Sequence, residues 1–120
     1  MKKIKVFEYQ QCSTCKKAIQ FLNKKGIEFE RVSIVDHPPS VNELEQMLKY
    51  LGGDIKRLFN TSGVVYREMG LSEKLGHFSR IEALELLSKN GKLVKRPFAL
   101  SSDKKGVVGF KEKEWEEFLR

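Results

Sequence analysis

A chain of 120 residues, 40% hydrophobic and 32% charged, is long enough to bury a core as one domain without disulfide or metal staples. Its apolar runs are only a few residues long, which excludes a membrane-spanning helix, and Met1-Lys2-Lys3-Ile4 lacks the apolar stretch of a secretory signal, so a cytoplasmic location is expected. The net charge of +7 suits an anionic substrate or an acidic partner. The basic residues are interleaved with glutamates as on solvated helix faces, and no basic stripe alternates with aromatics to suggest direct nucleic-acid binding.

Residues 3–9, with Ile4, Val6, Phe7 and Tyr9, read as a first strand. A helix follows, with Ser13 or Thr14 as its cap and Cys15, Ala18, Ile19 and Leu22 on one face, and Gly26 is placed to end it. Residues 27–35 alternate as a second strand, which completes a right-handed βαβ unit with parallel strands. His37-Pro38-Pro39 breaks the chain. Ser40 and Glu43 have capping-box spacing for a helix carrying Leu44, Met47, Leu48 and Leu51, stopped by Gly52-Gly53. Residues 54–59 read as a short helical piece, and residues 60–78 show no clear period. Ser79 and Glu82 repeat the capping box, with Ile81, Leu84, Leu86 and Leu87 carrying that helix to Gly91. Pro97 precedes an apolar run, and a turn over residues 101–106 joins it to residues 107–110 as an antiparallel hairpin. Trp115, Phe118 and Leu119 line a final helix. The order is βαβ, then helices, then ββα: an α/β domain with a mixed sheet.

Cys12 and Cys15 are the only cysteines, three positions apart, where a strand passes into a helix. A helix N-terminus offers unpaired N–H groups and the positive end of the macrodipole, both of which favour a thiolate. A second thiol one turn on can attack a mixed disulfide formed on the first and resolve it. In a reducing compartment such a pair reads as catalytic, sensing or metal-binding rather than structural. Zinc would need two further ligands, and the only histidines, His37 and His77, stand far apart in sequence, so no metal is expected. With the C-x-x-C pair opening the first helix, this order of elements is the thioredoxin-like arrangement. In such folds the proline before the third strand is commonly cis and lies beside the redox cysteine, a place taken here by Pro97.

Four segments, in this order, resemble the ArsC/Spx family. They are Tyr9-Gln10-Gln11-Cys12-Ser13-Thr14-Cys15-Lys16-Lys17-Ala18; His37-Pro38-Pro39 with Glu43-Leu44; Phe59-Asn60-Thr61-Ser62-Gly63 with Tyr66-Arg67-Glu68; and Lys95-Arg96-Pro97 with Gly109-Phe110-Lys111. The likeness spans essentially the whole chain and is greatest to short Spx/MgsR-like bacterial proteins. It implies a thioredoxin-like fold with a mixed four-stranded sheet and a helical insertion after the second strand, at about residues 38–91.

In the arsenate reductases of this family, the cysteine matching Cys12 attacks arsenate, and the adduct is reduced through glutathione and glutaredoxin. Three arginines bind the oxyanion. Their places fall at Asn60, at Arg96 and near Lys111, so one guanidinium is kept, one becomes an ammonium and one a neutral amide. Spx-type regulators carry the C-x-x-C pair as a disulfide switch and bind the RNA polymerase α subunit. Gly52 lies where they use a glycine at that contact, although a helix C-cap explains it equally well.

The resemblance therefore implies a thiol–disulfide oxidoreductase, with Cys12 as nucleophile, Cys15 as resolving thiol and Arg96 stabilising thiolate and oxyanion. Asn60 and Lys111 complete a weaker anion site, with Ser13, Thr14 and Pro97 beside it. No bound cofactor is expected, only a reductant of the glutathione/glutaredoxin or thioredoxin type. The alternatives are a redox-controlled regulator of RNA polymerase and a reductase acting on a substrate other than arsenate.

Overall fold

Four strands, β1 (Ile4–Glu8), β2 (Glu30–Ser33), β3 (Phe98–Ser101) and β4 (Lys105–Val108), form one mixed sheet in the order β2-β1-β3-β4 in a computed structural model that describes residues 2–120. β1 is parallel to β2 and antiparallel to β3, and β3 is antiparallel to β4. A parallel pair needs a crossover, which α1 (Ser13–Lys24) supplies. This is the thioredoxin-like α/β arrangement expected from the sequence.

The side chains of β1 alternate between two cores. Ile4 and Val6 meet Ala18, Ile19 and Leu22 of α1, together with Trp115 and Phe118 of α6 (Glu112–Phe118). Phe7 points to the opposite face, edge-on to Phe98. That face is covered by helices that follow β2: α2 (Val41–Tyr50), α3 (Val64–Glu68), α4 (Leu71–Lys74) and α5 (Arg80–Lys89). Both capping boxes form: Ser40 with Glu43 opens α2, and Ser79 with Glu82 opens α5. Short 3₁₀ turns at Ile55–Leu58, Leu75–His77 and Gly91–Leu93 link these helices. Among the described residues no helix is long and apolar enough to cross a membrane.

Several boundaries differ from the sequence reading. β2 is four residues long because Ile27 is spent closing α1. Gly26, at φ +68°, donates to the Asn23 carbonyl, and Ile27 donates to Leu22. At its other end the His37 N–H turns back to Ser33. The last strand lies two residues earlier than expected, because Gly109 leaves the extended region with φ +70°. Ile81 is half exposed, since Ala83, Leu84 and Leu87 set the buried face of α5. That helix stops at Lys89, and Asn90 caps it by donating from its amide to the Leu86 carbonyl.

Gly91 has a different purpose from the helix stop expected of it. A β-carbon there would overlap the Ile34 carbonyl oxygen, so this glycine lets the end of the helical layer touch the chain just beyond β2. Gly91→Ala should cost roughly 3–5 kcal/mol, near the upper end for single substitutions. Gly52→Ala, at φ +77° but facing open space, should cost only about 1–2 kcal/mol of backbone strain. Urea midpoints of the two variants test this; equal losses would refute the close-packing role of Gly91.

Candidate thiol site

The first turn of α1 builds the site. Cys12, with extended backbone (φ −97°, ψ 113°), is itself the N-cap, and its Sγ accepts the Cys15 N–H at 3.3 Å. Its carbonyl accepts the Lys16 N–H, and its own N–H donates to Tyr9. The cap therefore falls at Cys12, one residue before Ser13 and two before Thr14, where it was expected: both already lie in the helix, and the sulfur takes the place a hydroxyl oxygen usually holds. The Cys15 N–H thus points at Cys12 Sγ, which sits at the N-terminal end of the α1 dipole.

Cys15 continues the apolar stripe of Ala18, Ile19 and Leu22 and is almost completely buried, at 1% exposure. Burial pushes its thiol up from 9.0 to about 12, helped by its hydrogen bond with Cys12 and by the Cys12 charge; the Tyr9 backbone and Arg96 pull the other way. Cys12 is half-buried at the mouth of the helix, and both cysteines are free thiols. The pair is thus one accessible sulfur backed by a buried, protonated one.

Cys12 opens onto a cleft of about 870 Å³. Ser13, Thr14, Asn60, Arg96 and Lys111 all line it, so residues scattered along the sequence converge here. A short antiparallel bridge, Phe59 with Val94, ties two walls together, with Asn60 N–H donating to Leu93 and Lys95 N–H to Leu58. The Arg96-Pro97 peptide is cis, as expected, and Pro97 is buried at the start of β3. The guanidinium of Arg96 lies 5.0 Å from the centre of the Tyr9 ring and donates to the Lys92 carbonyl at 3.1 Å. One residue thus serves as platform for the arginine and, through its carbonyl, as anchor for the Cys12 backbone.

Asn60 is held by its own turn. Its side chain accepts weakly from Ser62 and lies so close over Gly63 that a β-carbon there would come within 2.6 Å of the amide nitrogen. Lys111 is exposed and precedes α6. Gly52 is not in the cleft. Its N–H donates to Lys49 while that of Gly53 donates to Leu48, the paired bonds of a helix C-cap.

Two cleft cations were not singled out by the sequence reading, Lys56 and Arg57 on the 3₁₀ turn, and a third, Lys95, entered it only within the Lys95-Arg96-Pro97 segment, without a role. Lys95 adjoins Arg96 and could have been suspected. Nothing local marks Lys56 and Arg57, because their turn reaches the cleft through contacts distant in sequence, the Phe59–Val94 bridge among them. Among the described residues no group of three His, Cys, Asp or Glu side chains is placed to hold a metal.

The model of the ArsC family matches residues 7–118. The chain is 46% identical over 109 residues to the protein YusI of Bacillus subtilis, covering 91% of this chain and 92% of that one. It is 31% identical over 117 residues to the global transcriptional regulator Spx of Streptococcus agalactiae, covering 97% of this chain and 82% of Spx. The crystal structure of an ArsC family related protein from Bacteroides fragilis superposes with a TM-score of 0.87 at 43% identity, covering 98% of this chain and 96% of that one.

The buried Cys15 makes the reduced protein sensitive to alkali. Its folded-state value lies above 9.0, so folding favours the neutral thiol. That stabilisation is whole below pH 9 and is lost as pH rises towards about 12, by up to about 1.4 kcal/mol per pH unit. Urea unfolding of reduced protein from pH 8 upward should show a steeper loss of stability than Cys15→Ala shows; parallel curves would refute the assignment.

Proposed function

This chain belongs to the ArsC family, and from that premise we propose that it is a thiol–disulfide oxidoreductase, with Cys12 as the attacking thiol and Cys15 as the resolving thiol. The observation that carries the proposal is the pairing of an accessible sulfur at a helix mouth, which accepts the Cys15 backbone N–H, with the buried Cys15 thiol one turn on. The Cys12 thiolate attacks one sulfur of a disulfide R–S–S–R′. Its S–S bond breaks, R′S⁻ leaves with the electron pair and takes up a proton, and Cys12 is left joined to R–S. Cys15 then gives up its proton and attacks Cys12 Sγ, and RS⁻ departs to be protonated. Two electrons have passed to the substrate, and the protein holds a Cys12–Cys15 disulfide. A dithiol protein of the thioredoxin type, or glutathione with glutaredoxin, returns the two electrons.

The raised Cys15 value sets the order of these steps. A neutral, buried thiol is a poor nucleophile, so Cys12 reacts first. Once Cys12 is in a mixed disulfide, its charge and its hydrogen bond no longer hold the proton on Cys15, while Arg96 still favours the Cys15 thiolate. Arg96, stacked on Tyr9 and free on its outer side, also faces any anion in the cleft. Asn60 argues for a substrate other than arsenate, since a neutral amide held over Gly63 is a poor substitute for a guanidinium.

A second reading is favoured by the 31% identity to Spx. On that reading the Cys12–Cys15 disulfide controls binding to the RNA polymerase α subunit, in the cytoplasm, through the exposed surface around Gly52. Purified α subunit retained by one redox form of the protein and not the other would support it. Retention by neither ends it.

The oxidoreductase reading is tested by exposing reduced protein to a small disulfide and measuring intact mass. Wild type should finish as the internal disulfide, Cys15→Ser should stop as a persistent mixed disulfide, and Cys12→Ser should exchange only at background rate. A mixed disulfide on Cys15 in the Cys12→Ser protein at neutral pH would overturn the assigned roles.

A further inference from the structure

The cleft beside Cys12 holds five cations, Lys56, Arg57, Lys95, Arg96 and Lys111, against two carboxylates, Asp54 and Glu114. Among the described residues the ion pairs within 4 Å are Lys2–Asp103, Lys5–Glu43, Arg31–Glu8 and Arg80–Glu45, so none of the five is neutralised by a partner. Asp54 is already engaged as the cap of the 3₁₀ turn, its carboxylate accepting the Lys56 backbone N–H. The stem of Lys95 passes over Gly109, where an added β-carbon would come within 3.4 Å of its Cε, so the side chain is led along the wall of the cleft. Arg96 is braced by Tyr9 and the Lys92 carbonyl. Unpaired like charges gathered in one concavity raise its potential and draw in counter-ions.

We infer that Lys56, Arg57 and Lys95 extend the anion site of Arg96 and Lys111 along the same cleft, and that this extended subsite selects small disulfides carrying carboxylates. The inference rests on the oxidoreductase reading and adds its substrate class. The chemistry at sulfur is unchanged: Cys12 displaces one half of the disulfide, and Cys15 displaces the other.

The test compares three small disulfides of similar size: dithiodiglycolate, which is anionic, hydroxyethyl disulfide, which is neutral, and cystamine, which is cationic. Each rate of Cys12 oxidation is divided by that of a small free thiol with the same disulfide, which removes intrinsic reactivity. At low salt the anionic compound should lead the neutral one by about tenfold or more, the cationic one should trail, and added salt should shrink the spread. In the double variant Lys56→Gln, Arg57→Gln, the anionic-to-neutral ratio should fall several-fold, and Lys56→Glu should shift preference towards cystamine. Equal normalised rates for the three, or an unchanged ratio in the double variant, would overturn the subsite while leaving the thiol chemistry standing. If none of the three oxidises Cys12, the oxidoreductase reading falls and the subsite with it.

Discussion

The docking of α1 against the sheet is the constraint on which the site depends. Ala18, Ile19 and Leu22 lie against Ile4, Val6, Ala99 and Trp115, and Cys15 continues the same stripe towards the helix start. Three fully buried or nearly buried aliphatic positions on one face leave the helix a single rotational setting, because any other would expose apolar surface worth several kcal/mol at about 25 cal/mol per Å². That setting places Cys15 inside, with its proton held, and leaves the cap position to Cys12 at the rim. The difference in reactivity between two identical side chains thus follows from how the helix packs.

A second long-range link completes the site. The bridge between Phe59 and Val94, with its flanking bonds from Asn60 and Lys95, brings the segment after α2 against the segment before β3. Phe59 and Tyr66 stack edge-on beneath it, so the wall of the cleft is anchored in the larger core. Through this link a 3₁₀ turn, a loop arginine and a helix N-cap, far apart in sequence, share one concavity. The charge there comes from whichever basic residues the bridge gathers.

Much of this was legible in the chain. The two capping boxes, the glycine stops at Gly26 and Gly52-Gly53, the hairpin after Pro97 and the buried face of α1 each depend on residues within a turn or two of one another, and each formed. The C-x-x-C pair was placed correctly between strand and helix. Residues 60–78 could not be read, because α3 and α4 are too short to show a period and are held by contacts with distant segments. Ile81 misled because its first-turn position lies off the stripe that α5 presents to α2.

By itself the sequence determined the order of the elements outside residues 60–78 and the spacing of the thiols, since caps, turns and helical periodicity are settled by neighbours in the chain. It also marked Cys12, Arg96 and Pro97 as belonging together through their likeness to a family. Only the tertiary structure decided that Cys12 caps its own helix, that Arg96 rests on Tyr9, and that Lys56, Arg57 and Lys95 line the thiol's cleft without ion-pair partners. Those facts depend on which surfaces pack together, and burial of apolar area across the whole fold sets that packing, which no local pattern records.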